Sequence, residues 1–414
     1  MSIIQRDIAC QVSEAVDRSG MQKTFISNVL GISLAQLSRN LSGIRPFDLK
    51  VLDSLTALLQ LKKGFFYDAY LWDCWNAPRN RGNRIKELIQ HSFLTGIPEY
   101  ANQMISLLLE SGKELCDLYK AARDLEKQGK DEEALKLYDI VIKNERNRLV
   151  DCLALSYYRR FMIVRNWDLE HAFEAATKLG EHVTLLPGKH MYEAYLRMLT
   201  VFYVLDKWDH LLKYSGEVQE VLEGAKEYDV SLYAECLSYQ EISHRHKREF
   251  DKALKVNKTY SILGDEFKKW SELNACIIFM EAGDNSAAKT LWALMEIHKE
   301  DAPNNIEHLL RFFINDKKYK DFGAALDTFS DSITVLFSRT DPLSCKRSIM
   351  VRCLIAEWLI NQGKVHDAIT LIVESLEQSK RLKLGNQTNE CLRLSMKLFD
   401  QITTEDKDKI YSLI

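Results

Sequence analysis

LEKQGKDEEALKLYDIVI, residues 125–142, is the stretch on which the fold turns. Apolar residues on both sides of its centre recur at i, i+3, i+4 and i+7, the spacing of one face of a helix. The pattern stops at Gly129, whose tolerance of a positive φ suits a tight turn between helices. Five places beyond the break stands Ala134. A small side chain there lets two antiparallel helices cross closely, so the segment reads as a helical hairpin.

The break recurs along the chain. Gly96 is followed by Ala101, Trp167 by Ala172, Asp206 by Leu211 and Arg248 by Ala253; Gly283 precedes Ala288, Lys317 precedes Phe322 and Gly363 precedes Ala368. Successive breaks lie 33, 38, 39, 42, 35, 34 and 46 residues apart. That period resembles the tetratricopeptide repeat, a two-helix unit of about 34 residues, in degenerate form. The clearest copies are 125–142, 247–260 and 356–375.

The resemblance implies hairpins stacked into a right-handed superhelix whose first helices line a concave surface. Surfaces of that kind hold an extended peptide or a partner helix. Carried onto this sequence, the concave face includes Arg123, Tyr158, Arg165, Glu193, Arg197, Tyr203, Glu235 and Tyr239, then Arg245, Asn274, Asn304, Glu307, Arg311, Asn315 and Asn361. Asn and Arg each make two directed hydrogen bonds to a peptide backbone or a carboxylate. For any one of these positions the alternative is a solvated side chain with no ligand.

Composition agrees with an all-α chain. Only 6 prolines occur in 414 residues, and Pro98, Pro187, Pro303 and Pro342 fall between periodic segments, where they start or stop helices without breaking them. The length calls for two or more units or a repeat array rather than one core. A formal net charge of -3 gives no overall pull toward nucleic acid, so any basic surface must be local. Mean hydropathy is -0.24, no apolar run approaches the roughly 18 residues that span a bilayer, and no secretory leader is apparent. The nine cysteines (Cys10, Cys74, Cys116, Cys152, Cys236, Cys276, Cys345, Cys353 and Cys391) contain no C-x-x-C pair. They are expected to be buried thiols, which implies a reducing, cytoplasmic compartment.

At the N-terminus, residues 5–17 form an amphipathic helix with Ile8, Val12, Ala15 and Val16 on one face. Phe25, Ile26 and Val29 supply the apolar stripe of a short second helix that stops at Gly31. Ser33 then caps a third helix in which Leu37 and Leu41 face inward, turning Ala35 and Arg39 outward with Gln36 and Ser38 on the flanks. Gly43 ends it, and a further helix runs from about Phe47 to Leu61.

Residues 5–65 resemble the helix-turn-helix of the lambda-repressor-like (XRE) family, on Gln22, Gly31, Leu37 and the exit Leu41-Ser42-Gly43-Ile44-Arg45. The resemblance implies a double-stranded DNA operator read by the third helix. Gln36 and Arg39 reach base edges, Ser33, Ala35 and Ser38 line the same face, and Gln22, Lys23 and Arg45 hold phosphates. Asn40 stands where the family more often has an apolar residue, so a slightly rotated reading helix is expected. Residues 1–60 carry Arg6, Arg18, Lys23, Arg39, Arg45 and Lys50 against Asp7, Glu14, Asp17, Asp48 and Asp53, a net +1. So weak a field favours two copies on two half-sites. The alternative is a packing module that makes only protein contacts.

FFYDAYLWDCW (65–75) is expected to pack this head onto the next domain. Arg79, Arg81, Arg84 and Lys86, around Pro78 and Gly82, form either a solvated basic loop or a phosphate contact. The C-terminal stretch carries Leu392, Leu394, Met396, Leu398 and Phe399, then Ile410, Tyr411, Leu413 and Ile414. An apolar end to a repeat array implies a homodimer contact, or packing onto the last repeat. No phosphate-binding, zinc-protease or nucleophile-elbow motif is present. His244 and His246 point to different sides of a helix. No catalytic residue, cofactor or metal ligand is therefore assigned.

A helix-turn-helix head on a degenerate tetratricopeptide array resembles the RRNPP peptide-pheromone receptors, the arbitrium receptors (AimR) most of all. The boundaries expected are 1–65 for the head, 66–92 for an aromatic and basic connector, 93–385 for the array and 386–414 for capping and dimerising helices. Membership implies a cytoplasmic homodimer; from the missing motifs and the lack of a long apolar run, the chain is expected to be neither an enzyme nor cofactor-dependent nor bound to membrane. A short oligopeptide signal in the groove would change the spacing of two DNA-binding heads. The alternatives are a regulator that sequesters a partner protein, and a scaffold with a vestigial head.

Overall fold

A computed structural model describes residues 7–77, 81–111, 115–167, 169–225, 229–401 and 403–413. Among these, every regular element is helical: 24 α-helices, one 3-10 turn at Val183–Leu185 and no strand. The all-α expectation holds. No helix among the described residues is long and apolar enough to cross a membrane.

The first three helices are Ile8–Ser19, Lys23–Val29 and Leu34–Leu41, followed by Leu49–Leu58 and Tyr67–Trp75. Ile8, Val12, Val16, Ile26, Leu37 and Leu41 meet in one core. One expectation needs correcting here. Phe25 and Val29 are each 53% exposed, so Ile26 alone of the expected stripe is buried. The second helix is only 7 residues long, two turns, and a single apolar side chain on its inner face closes the contact. Asn40 takes an inward position on the third helix. It is buried beside Leu37 and Leu41, and its Nδ2 donates to the carbonyls of Arg45 at 3.1 Å and Pro46 at 2.8 Å. The exit turn thus supplies acceptors for the amide nitrogen of a polar residue at an inward position.

The repeat breaks are left-handed turns. Gly96, Gly129, Asp206, Arg248, Gly283, Lys317 and Gly363 all have positive φ; Trp167 is the one expected break that does not. After each, the next residue's N–H reaches back to a carbonyl five positions earlier, as in Lys130 to Leu125, Lys207 to Phe202 and Lys318 to Phe313. This is the Schellman closure of a helix C-terminus, which satisfies carbonyls that the ended helix leaves without partners. The residue five past each break, Ala101 through Ala368, is buried in every case, including the bulky Leu211 and Phe322. The 46-residue interval has a simple cause. Between Lys317 and Gly363 the outer helix is split in two, Tyr319–Thr328 and Ser330–Ser338.

The chain forms two compact units, Met1–Ile163 and Val164–Ile414. In the first, one apolar core runs from Ile8 through Phe66, Tyr70 and Leu88 to Val141. The aromatic stretch is thus core, with Phe66, Tyr67, Tyr70 and Cys74 buried. Arg81 to Lys86 are not a basic loop: they open the helix Arg81–Thr95. Arg81 lies over the Trp75 ring, Arg84 pairs with Asp73 and Lys86 with Asp124. Pro78, Arg79, Arg6 and Ile414 lie outside the described residues.

The second unit has one cluster around Leu273, Leu291, Leu309 and Phe322. Another joins Leu169 and Val204 to Ile349, Cys353, Leu384 and Leu394. The cysteines also depart from expectation. Cys116 and Cys152 are joined in a disulfide; of the remaining seven, Cys10 is exposed and six are buried thiols.

Candidate functional site

The head presents one polar face. The Ser33 hydroxyl accepts the Gln36 N–H at 3.1 Å and fixes the start of the third helix. Ala35, Ser38 and Arg39 are exposed and Gln36 is half-buried, while Leu37, Asn40 and Leu41 fill the opposite side. Gln22, Lys23 and Arg45 are exposed as well. The side chains of Lys23, Arg39 and Arg45 have no ion-pair partner among the described residues, so all three cations are available to an anion. Leu34, at the first turn of this helix, is exposed too.

In the second unit the helices preceding successive breaks are Gly188–Val204, Val230–His246, Asp265–Glu281, Ala302–Asn315 and Pro342–Asn361. They bring Tyr203, Arg245, Asn274, Asn304, His308 and Arg347 to the wall of one cleft of about 180 Å³. An adjoining cleft of about 500 Å³ shares Arg245, Ile277 and His308 and adds Arg248, Glu281, Arg311 and Asn315.

The electrostatics of this wall are uneven. Arg245, only 5% exposed, is paired with Glu281 at 2.6 Å, and Arg311 with Glu307 at 2.6 Å. Arg347 and Arg339 have no carboxylate within pairing distance among the described residues. Both donate to the same neutral acceptor, Asn304 Oδ1, at 3.0 and 3.2 Å. The Arg347 guanidinium also lies 5.9 Å from the Tyr203 ring. Two guanidinium groups sharing one amide oxygen retain donors for a further acceptor, and a carboxylate is the acceptor that matches their fork. Burial, with Arg245, Arg311, Arg347 and His246 nearby, holds His308 well below the usual histidine range, so it stays neutral at pH 7.

Glu235 lies nearby with Tyr239. Burial pushes its carboxyl up, against a hydrogen bond with Tyr239 and the attraction of Arg197. Tyr239 in turn packs 6.1 Å from the Tyr203 ring. Beneath the wall, the Asn274 amide donates to the Tyr260 hydroxyl, which donates to Glu241 Oε2 at 2.5 Å. Glu241 is fully buried, and burial raises its carboxyl above the ordinary range.

Other expected inner-face residues stand apart from the cleft. Tyr158 is buried and belongs to the first unit, as does Arg123, which pairs with Glu126. Arg165 stands two residues into the second unit. Glu193 is half-buried. Asn361 is exposed at the end of its helix, where it accepts from the Tyr319 hydroxyl. His244 pairs with Glu249, whereas His246 stacks on Trp208.

Sequence reasoning missed His308, Arg339 and Arg347. His308 was within reach, one turn from both Asn304 and Arg311. Arg339 lies outside the inner helices, where no periodic rule points.

At the C-terminal end Leu394, Leu398 and Ile410 are buried, whereas Met396 is 76% exposed and Phe399 and Tyr411 also face outward.

No protein-family model and no curated protein matches this sequence. Among solved structures, a similar chain is PlcR of Bacillus thuringiensis, in a crystal structure with the peptide PapR7 and DNA. It is 12% identical, with 72% of this chain and 96% of that chain covered and a TM-score of 0.29. A superposition that loose fixes neither fold nor ligand for this chain.

Proposed function

We propose that the protein is a peptide-responsive DNA-binding regulator. The observation that carries the reading is the convergence of Tyr203, Asn274, Asn304 and Arg347 from inner helices on one polar wall, with Arg311 in the adjoining cleft, in a chain that also has a capped helix exposing Arg39. The first half fits a short extended ligand with a free carboxylate, held by Arg347 and Arg339 while Asn274 and Asn304 meet its backbone. The second fits a major groove, with Gln36 and Arg39 at base edges, Ser33, Ala35 and Ser38 beside them, and Gln22, Lys23 and Arg45 on phosphates.

Residues 1–65 act as the head, 66–92 as connector, 93–385 as the ligand array and 386–414 as cap. Met396, Phe399 and Tyr411 supply the contact of a homodimer, which sets two heads on two half-sites. The ligand then acts by favouring one spacing of the heads over another. Architecture alone supports the finer assignment to the arbitrium receptors, which choose between lysis and lysogeny. We infer a cytoplasmic site of action, where the Cys116–Cys152 disulfide would meet reducing conditions.

Selection of bound sequences from a random 40-base-pair duplex pool tests the first half. A two-part consensus is expected; recovery of no consensus would remove the head's role. Calorimetry with synthetic fragments of a short secreted peptide encoded beside the gene tests the second. A second reading, in which the head grips a protein, is favoured by one observation: Phe25 and Val29 stand exposed one turn apart on the same helix.

A further inference from the structure

Stacked helix-pair arrays are quasi-one-dimensional, each repeat touching only its neighbours. The second unit breaks that rule at Asp206. Lys346, 140 residues away in sequence, places its Nζ 2.5 Å from Asp206 Oδ1. Asn386, 180 residues away, donates its Nδ2 to the other carboxylate oxygen at 2.8 Å. Asp206 stands at the tip of a left-handed turn with φ 56°, as Arg248 and Lys317 do at their breaks, whereas Gly96, Gly129, Gly283 and Gly363 fill the others.

Lys346 is 8% exposed. Its ammonium also donates to the Tyr203 carbonyl at 2.9 Å and lies over the Tyr203 and Trp208 rings. Beside this polar knot, Leu169 and Val204 pack with Ile349, Cys353, Leu384 and Cys391 in one cluster. The next residue, Arg347, lines the cleft and lies 5.9 Å from the same Tyr203 ring.

We propose that Asp206, Lys346 and Asn386 form a clasp that closes the array of the second unit, and that its release is the motion giving a ligand access to the cleft. Tyr203 joins the two sites, since both Lys346 and Arg347 lie against its ring and Tyr203 lines the cleft. Local opening of such a contact is distinct from global unfolding when the remaining helix pairs keep their own cores.

Cys353 and Cys391 report on the seam because both are buried in it; Cys236 and Cys276, in the same unit but outside that cluster, serve as controls. Alkylation of the full chain by iodoacetamide, read residue by residue by mass spectrometry, tests the clasp. In the wild type, Cys353 and Cys391 should react at a rate independent of low denaturant, while the controls follow global unfolding. Asp206→Asn should raise labelling at the seam at least 10-fold and leave the controls unchanged. Asn386→Ala, a milder change at an exposed residue, should raise it less, and Lys346→Met, which removes the ammonium from Asp206 and from the Tyr203 carbonyl alike, should raise it as Asp206→Asn does. Equal labelling of seam and controls in every variant would overturn the proposal. So would seam labelling in the wild type that tracks global unfolding.

Discussion

Arg347 Nη1 donates to Asn304 Oδ1 at 3.0 Å, and Arg339 donates to the same atom, so two cations are held by one neutral oxygen. Cations held in this way bind an added carboxylate more strongly than cations already paired, such as Arg245 with Glu281. Arg347→Met keeps the stem beside Tyr203 and removes the fork. It should weaken binding of a free-acid peptide by about 10- to 100-fold, on the scale of one charge-assisted hydrogen-bond pair, in calorimetry. Amidating the same peptide's C-terminus should cost the wild type as much and the variant little. Because burial keeps His308 neutral, affinity should be flat between pH 6 and 8; a step near pH 6.5 would assign the anion to His308 instead.

The turn after the reading helix depends on Asn40. Asn40→Leu restores the apolar residue common in related heads but strands the carbonyls of Arg45 and Pro46. We expect a loss of about 1–3 kcal/mol, measured by thermal unfolding, with faster amide exchange in residues 42–47. Equal or greater stability would show that solvent satisfies the turn.

Lys317 is exposed and has φ 59° at the tip of its turn. Lys317→Gly relieves a left-handed strain of about 1–2 kcal/mol, partly offset by the entropy of a freer unfolded chain. A rise in thermal midpoint of about 1–3 °C is expected. The same change at Asp206 should lower stability, because there the side chain closes contacts.

Glu241 sets a pH dependence. Burial raises its carboxyl in the folded state above the unfolded value, so the fold favours the protonated acid. That contribution is complete below the ordinary carboxyl range and is lost as pH rises through the raised value. Glu241→Gln, always neutral, should match the wild type at pH 4 and exceed it at pH 8, by about 2–5 °C in thermal midpoint. Identical curves at both pH values would mean that Tyr260 and Asn257 hold the ionised form at no cost.

The helix pairs are legible because turn chemistry and crossing geometry are local: Gly129 and Ala134 announce a hairpin without reference to the rest of the chain. Lys383 is a further left-handed break, with no glycine at the turn, that the spacing does not pick out. The reading helix is legible from Ser33, Leu37 and Leu41. The fate of Phe25 and Val29 is not, because a periodic stripe does not say how wide a partner surface will be. The cleft is only half legible. Asn274, Asn304 and Arg311 follow from repeat position, whereas Arg339 and the Asp206–Lys346 closure are long-range pairings that no local pattern encodes. The Cys116–Cys152 bond is of the same kind, formed by two helices 36 residues apart in sequence.

The central claim is most directly tested at Arg39. Its guanidinium is exposed, without an ion-pair partner among the described residues, on the outward face of a capped helix. Fluorescence anisotropy of the full chain on its selected duplex, over a range of salt concentrations, should show tight, steeply salt-dependent binding. Arg39→Ala should lose about 5- to 150-fold on that duplex, the scale of one guanine contact of about 1–3 kcal/mol, while weak binding to unrelated DNA is unchanged. Equal affinity of wild type and Arg39→Ala for selected and unrelated duplexes would contradict the account.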